Sequence, residues 1–407
     1  MNNLHTVVDR NGDAALAAQV AEVVSRPRSG PSNSFVLHAP LEVAARYGLL
    51  PFVDAEHRPD ARDRILDIAR QWEAHSPEVD HPQRATGAPA DPLDALVWAL
   101  GEGDVETADV AAIEIAATIR VDSLAAKIGD ALLPCTTAAA HGPILLHLLP
   151  RVAPRNELPV TLMRPLAREL AVFPDWRLRW IDRLRPTSIG GERLFESLAS
   201  IPFIGPGSSS FIHPMLMQVD PTGIAEETIG GSIPRDDLDG ARRSILRAAA
   251  LSMLTEPDDH AAYGWSHCLT MPLAVLAIAD RLRDPARAIA VAATYVVAFR
   301  ATLAANGLPA EYSPPPGETT WRESFADGST AAAASITTAL RRGQARRAEV
   351  VETLATMAAV HPDAHLAKYT LACFDAAAID PPAADLYLAA CAHLHGVWST
   401  TARAWED

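Results

Sequence analysis

Lysine is nearly absent from this chain. All but two of its 35 basic residues are arginine, the exceptions being Lys127 and Lys368, and 50 acidic residues bring the formal net charge to −15. No basic cluster stands out, which argues against a nucleic-acid partner, because phosphate binding draws on grouped positive charge. Cysteine is sparse too. Cys135, Cys268, Cys373 and Cys391 are scattered, form no CxxC pair and offer no disulfide framework, so they read as buried small hydrophobes. Long apolar runs are missing: the longest, Ala288 to Phe299, lies between Arg287 and Arg300 and falls well short of the roughly 20 residues that span a bilayer. The opening stretch MNNLHTVVDRNGDAALAAQV lacks the basic flank and apolar core of a secretory signal. A cytoplasmic protein with no membrane partner is the expectation.

Nucleotide fingerprints are also lacking. GPGSSS at 205–210 and IGGS at 229–232 contain glycines, yet neither follows a strand pattern or completes GxGxxG or GxxxxGK[ST]. With no flavin or NAD(P) motif, electrons would have to come from substrate or an external reductant. A serine-hydrolase elbow fails as well, since YGWSHC around Ser266 has Cys268 where GxSxG needs its last glycine.

What the chain has is alanine, leucine and arginine at helical spacing. Apolar residues recur three and four apart in 62–74, 107–132, 159–172, 237–254, 260–282, 285–305, 346–360 and 382–395. The 32 prolines fall mainly between these segments, where a fixed φ and a missing N–H end helices. We therefore expect an all-α protein, a single large helical domain over 1–407 with long Pro-rich connecting loops. Residues 185–234 read as the most irregular stretch, a candidate cap over a site. No fixed period recurs, so a repeat scaffold is disfavoured.

Histidine carries the most specific signal. His38, His141, His147, His267 and His365 interrupt apolar helical stretches, where an imidazole needs a partner to offset desolvation. A core histidine bonded to a backbone carbonyl is the ordinary explanation for any one of them. Several from separate parts of the chain suggest a shared metal, because helical proteins build such sites from inward side chains. His141 and His147 are six apart, turned about 120° from one another on a helix, so both are not expected on one ion. His361 lies near a cap, while His365 and Lys368 are three apart on one face. Lys368 sits among Leu366, Ala367, Leu371, Ala372 and Phe374 in a chain that otherwise chooses arginine. Desolvated beside cations, an amine loses its proton more readily and can add CO2, giving a carbamate with an anionic oxygen that guanidinium cannot form.

These stretches resemble the questin oxidase-like family, helical oxygenases that open anthraquinone rings in polyketide pathways. The likeness lies in HAPLEVAARYGL at 38–49, HGPIL after LLPCTTAAA, SHCLT at 266–270 and DAHLAKYTLA at 363–372. It implies a mononuclear non-heme Fe(II) held by four histidines and a carboxylated lysine: His38, His141, His267, His365 and Lys368, with His147 or His361 as alternative ligands. The match is loosest at His38, where the asparagine expected just before it is absent. The implied reaction is oxygenation or C–C cleavage of a small aromatic substrate by O2, with Tyr263, Trp265 and Trp321 stacking against it. Asp259, Asp363 and Asp375 are the nearby carboxylates that could orient imidazoles. A histidine-bound metal hydrolase and a non-catalytic helical interaction protein are the competing readings.

Overall fold

Among the described residues, five helices start on an Asn or Asp side chain that caps the first turn, and a proline or glycine follows close behind many of the helix ends. The computed structural model describes residues 4–29, 33–79, 81–152, 159–205, 212–257, 262–317 and 319–400. Asn33 Oδ1 accepts from Val36 N at 2.9 Å, Asp91 from Leu93 N just before Pro92, Asp104 from Thr107 N and Asp237 from Gly240 N. Each cap satisfies backbone donors that the first helical turn leaves open. Among the described residues the protein is all-α. Three isolated bridges, such as Cys135 with Arg177, are the extent of β pairing there.

The contacts sort into two compact units, each built from discontinuous stretches of chain. The first takes Met1–Pro51, Ala55–Leu178 and Ala277–Asp284. Its helices are α1 (Leu4–Val24), α2 (Ser34–Leu49), α3 (Arg58–His75), α4 (Pro92–Glu102), α5 (Val105–Thr118), α6 (Val121–Leu132), α7 (Gly142–Val152) and α8 (Met163–Ala171). The 107–132 segment thus divides at Ile119 and Arg120, which are extended (ψ 129° and 140°). α2 packs on α7, and α5 on α8. Fully buried Asp109 ties the latter pair by accepting from Arg164 at 2.7 Å and Arg168 at 3.2 Å. On α2, buried Glu42 and Arg46 pair at 2.6 Å.

The second unit takes Phe52–Asp54, Arg179–Leu276 and Pro285–Asp407. It holds α9 (Arg193–Ala199), α10 (Ile212–Thr222), α11 (Ile224–Ile229), α12 (Leu238–Thr255), most of α13 (Ala262–Ile278), α14 (Pro285–Leu303), α15 (Ser329–Arg341), α16 (Arg347–Val360), α17 (Ala364–Ile379) and α18 (Ala384–Thr400). Residues 185–234 are more regular than their sequence suggests. They carry α9, α10 and α11, kept short by Pro202, Pro221 and Gly223 and packed against α12 and α14. α14 is long and apolar enough to cross a membrane by length and composition, and 89% of its apolar window is buried. An all-round apolar helix buried in this way is a core helix, with α12, α10 and α11 laid against it.

Candidate metal centre

In the first unit, His38 and His141 face each other. His38 lies in the second turn of α2, 9% exposed, with its Nδ1 3.2 Å from Ser34 Oγ one turn earlier. His141 is fully buried at the entrance to α7. The chain reaches it through Ala138, Ala139 and Ala140, all left-handed at φ 50°, 49° and 55°. Non-glycine residues adopt this region at a cost of roughly 1–2 kcal/mol each, so the run is local strain. It leaves Ala138 O 2.6 Å from His141 Nδ1. The two imidazole centroids are 5.0 Å apart, edge to face. His147, the alternative, is only half-buried on α7.

In the second unit, α13 supplies His267, 5% exposed, whose Nδ1 lies 2.7 Å from Tyr263 O. α17 supplies His365 and, one turn on, Lys368, which is only 4% exposed. The His267 and His365 rings stand 5.0 Å apart, and each offers a ring nitrogen within 4.8 Å of the other's. Asp363 organises the start of α17. Its Oδ1 accepts from the backbone of His365 at 2.7 Å and Leu366 at 3.2 Å and lies 3.3 Å from His365 Nδ1. Its Oδ2 accepts from Tyr263 Oη at 2.9 Å. Burial works to raise the Asp363 carboxyl, but these bonds and the neighbouring imidazole outweigh it and hold the group well below the usual carboxylate range. The Tyr263 phenol is pushed up, by burial first and by the Asp363 charge second.

The hydrogen bonds fix which nitrogen bears the proton. A carbonyl only accepts, so Nδ1 carries the N–H of His141 and His267, and in the neutral ring the lone pair sits on Nε2; at His365 the Asp363 carboxylate lies 3.3 Å from Nδ1. The hydroxyl beside His38 Nδ1 is compatible with the same tautomer. His361 is the reverse case: its Nδ1 accepts from Asp363 N at 3.1 Å, so that nitrogen serves the turn between α16 and α17.

No family model, no curated protein and no solved structure matches this chain. The family likeness therefore rests on the four sequence patches alone.

Of the three aromatic candidates, Tyr263 stands against His365 at 4.4 Å between centroids and also meets Trp398 at 5.4 Å. Trp265 is core, 1% exposed, and Trp321 lies beneath the Arg322 guanidinium at 4.2 Å. A cavity of about 630 Å³ opens elsewhere in the second unit, lined by Arg243, Arg247, Tyr312 and Arg341 and by none of the candidate ligands. Among the nearby carboxylates Asp363 does the orienting, Asp375 is half-buried farther along α17, and Asp259 lies outside the described residues. Sequence reasoning missed Ser34, the Ala138 carbonyl and the Tyr263 carbonyl as imidazole partners. Their only trace was spacing, each three or four residues before its histidine.

Proposed function

We propose that this chain is a non-heme iron oxygenase acting on a flat phenolic, anthraquinone-type aromatic with O2, and that His38, His141, His267, His365 and Lys368 serve as its ligands. The supporting observation is the shared tautomer: buried imidazoles in both units, His141 and His267, spend Nδ1 on an oxygen acceptor and keep the Nε2 lone pair, the arrangement of metal-bound histidine. Nitrogen donors joined by one anionic oxygen suit ferrous iron. Bound there, iron would supply activation of dioxygen for oxygenation or C–C cleavage.

The chain's own residues prepare the chemistry. Asp363 lies 3.3 Å from His365 Nδ1 and orients the ring, while Tyr263 Oη donates to the other carboxylate oxygen. At Lys368, burial disfavours the ammonium, and the neutral Nζ can attack CO2. An N–C bond forms, one proton leaves, and the carbamate oxygen becomes the acidic donor. Burial of His141, His267 and Lys368 also keeps bulk water from the atoms around them.

Metal quantification on wild type, Lys368→Arg, His141→Ala and His267→Ala, together with oxygen uptake on phenolic anthraquinones, tests the reading. Wild type should hold about one iron per chain, lost largely in all three variants. Metal without oxygen uptake would leave hydrolysis by a metal-bound hydroxide as the better account. Wild type that takes up no metal would point to a non-catalytic protein with core histidines.

A further inference from the structure

The cavity of about 630 Å³ in the second unit is lined by none of the candidate metal ligands and is of the size that small organic molecules fill. Its walls come from α9, α12, α15, the start of α18 and the segment around Tyr312. Arginines on α12 and α15 line it. Arg247 is already committed: its Nε and Nη2 donate to the two carboxylate oxygens of fully buried Asp380 at 2.7 and 2.9 Å. Arg341 donates to Tyr312 O at 3.1 Å. Arg243, half-buried one turn before Arg247, has neither a hydrogen bond nor an ion pair among the described residues.

The lining carboxylates do not answer that charge. Asp385 is held by Arg347 at 2.7 Å, Glu311 is 82% exposed and stands 3.9 Å from Arg341, and Glu192 is exposed to solvent. The lining hydroxyls on the helices are spent as well, Ser244 donating to Gly191 O and Thr337 to Ala333 O. Much of the remaining wall is apolar, with Phe195, Leu251 and Leu386 joining Tyr312 in it. A half-buried guanidinium with open donors in such a cavity suits a ligand that brings one carboxylate on a hydrophobic body.

The wall that carries Tyr312 is held in place at both ends. Asn306 Nδ2 donates to Thr255 O at 2.8 Å and Arg300 to Asn306 O at 2.7 Å, while Gly317 N donates to Thr338 Oγ1 at 3.2 Å. A Cβ at Gly317 would lie 2.6 Å from Ser335 Cα, so glycine is what lets this segment approach α15 so closely. A wall fixed before binding spares a ligand the cost of ordering it.

We propose that this cavity is a binding site for a small aromatic carboxylate whose carboxyl group pairs with the Arg243 guanidinium. Phe195 and Tyr312 supply aromatic surface for its ring, and the Tyr312 hydroxyl supplies a further donor. The site goes beyond the proposed iron centre and does not depend on it.

Titration of the full chain with 2-naphthoate and with its neutral amide, 2-naphthamide, followed by ligand-observed NMR, tests the assignment. Work near neutral pH keeps the acid ionised, and a chelator keeps its carboxylate off any iron. Wild type should bind naphthoate saturably with a Kd on the order of millimolar or tighter, and the amide about tenfold more weakly or worse. Arg243→Gln should lower naphthoate affinity by about tenfold or more and leave the amide unchanged. Arg243→Lys, which keeps the charge without the planar fork, should fall between, and Tyr312→Ala should weaken acid and amide alike. Naphthoate that fails to saturate wild type would overturn the proposal, and equal binding of acid and amide would do so without recourse to any variant. Unchanged naphthoate affinity in an Arg243→Gln protein with the wild-type urea midpoint would overturn it too.

Discussion

Asp363 serves three neighbours with one carboxylate: the first turn of α17, the imidazole of His365 and the phenol of Tyr263. The three roles can be separated by Asp363→Asn. An asparagine oxygen still caps the helix, since Asn and Asp rank together at that position, so folding should change by no more than a few tenths of a kcal/mol. The charge beside His365 Nδ1 is lost, however, and such orienting partners are worth roughly 10–100-fold in metal affinity. The expected result is normal urea unfolding of the metal-free protein with weakened iron retention against a chelator; unchanged retention would reduce Asp363 to a cap. The site was partly legible at this scale. His365 and Lys368 sit one turn apart as their spacing requires, but the meeting of His141 with His38 depends on three consecutive left-handed alanines. Alanine is an ordinary helix former, and nothing in its chemistry announces φ near +50°.

Helices were the most readable elements because burial on one face leaves a period of three to four residues. The breaks were less readable. Ile119 and Arg120 are unremarkable residues where the chain turns extended, and in 185–234 prolines and glycines shorten helices without abolishing them. A helix interface also hides from periodicity when it is made of backbone. α18 passes so close to the start of α15 that a Cβ at Gly396 would lie 2.5 Å from Ser329 Cα and 2.7 Å from the Gly328 backbone. Helix propensity alone would favour Gly396→Ala by about 1 kcal/mol. The contact opposes it, and because backbone atoms cannot swing aside as a flexible side chain can, the overpacking cost of roughly 1–3 kcal/mol should win. Gly396→Ala is therefore expected to lower the urea midpoint without changing the m-value. A stabilised variant would mean that α15 and α18 sit farther apart than described.

Over the whole molecule, composition specified the all-α class and little beyond it. Which stretches gather into each compact unit follows from long-range packing, and neither unit is a continuous run of sequence that a composition shift could mark. Acid stability is a property at the same scale that one buried group shapes. His213, half-buried on α10, is lowered by desolvation from the ordinary value near 6.5 to about 4. Between those values the unfolded chain binds a proton that the folded chain refuses, so stability rises with pH through that window. The contribution is complete above about pH 6.5, falls as pH drops, and levels off below about pH 4. His213→Gln removes the titration and should flatten the difference between urea midpoints measured near pH 5 and near pH 8. An acid limb as steep in the variant as in wild type would remove His213 as its source; the depressed carboxyl of Asp363 changes stability only below its ordinary value of 3.8, outside this window.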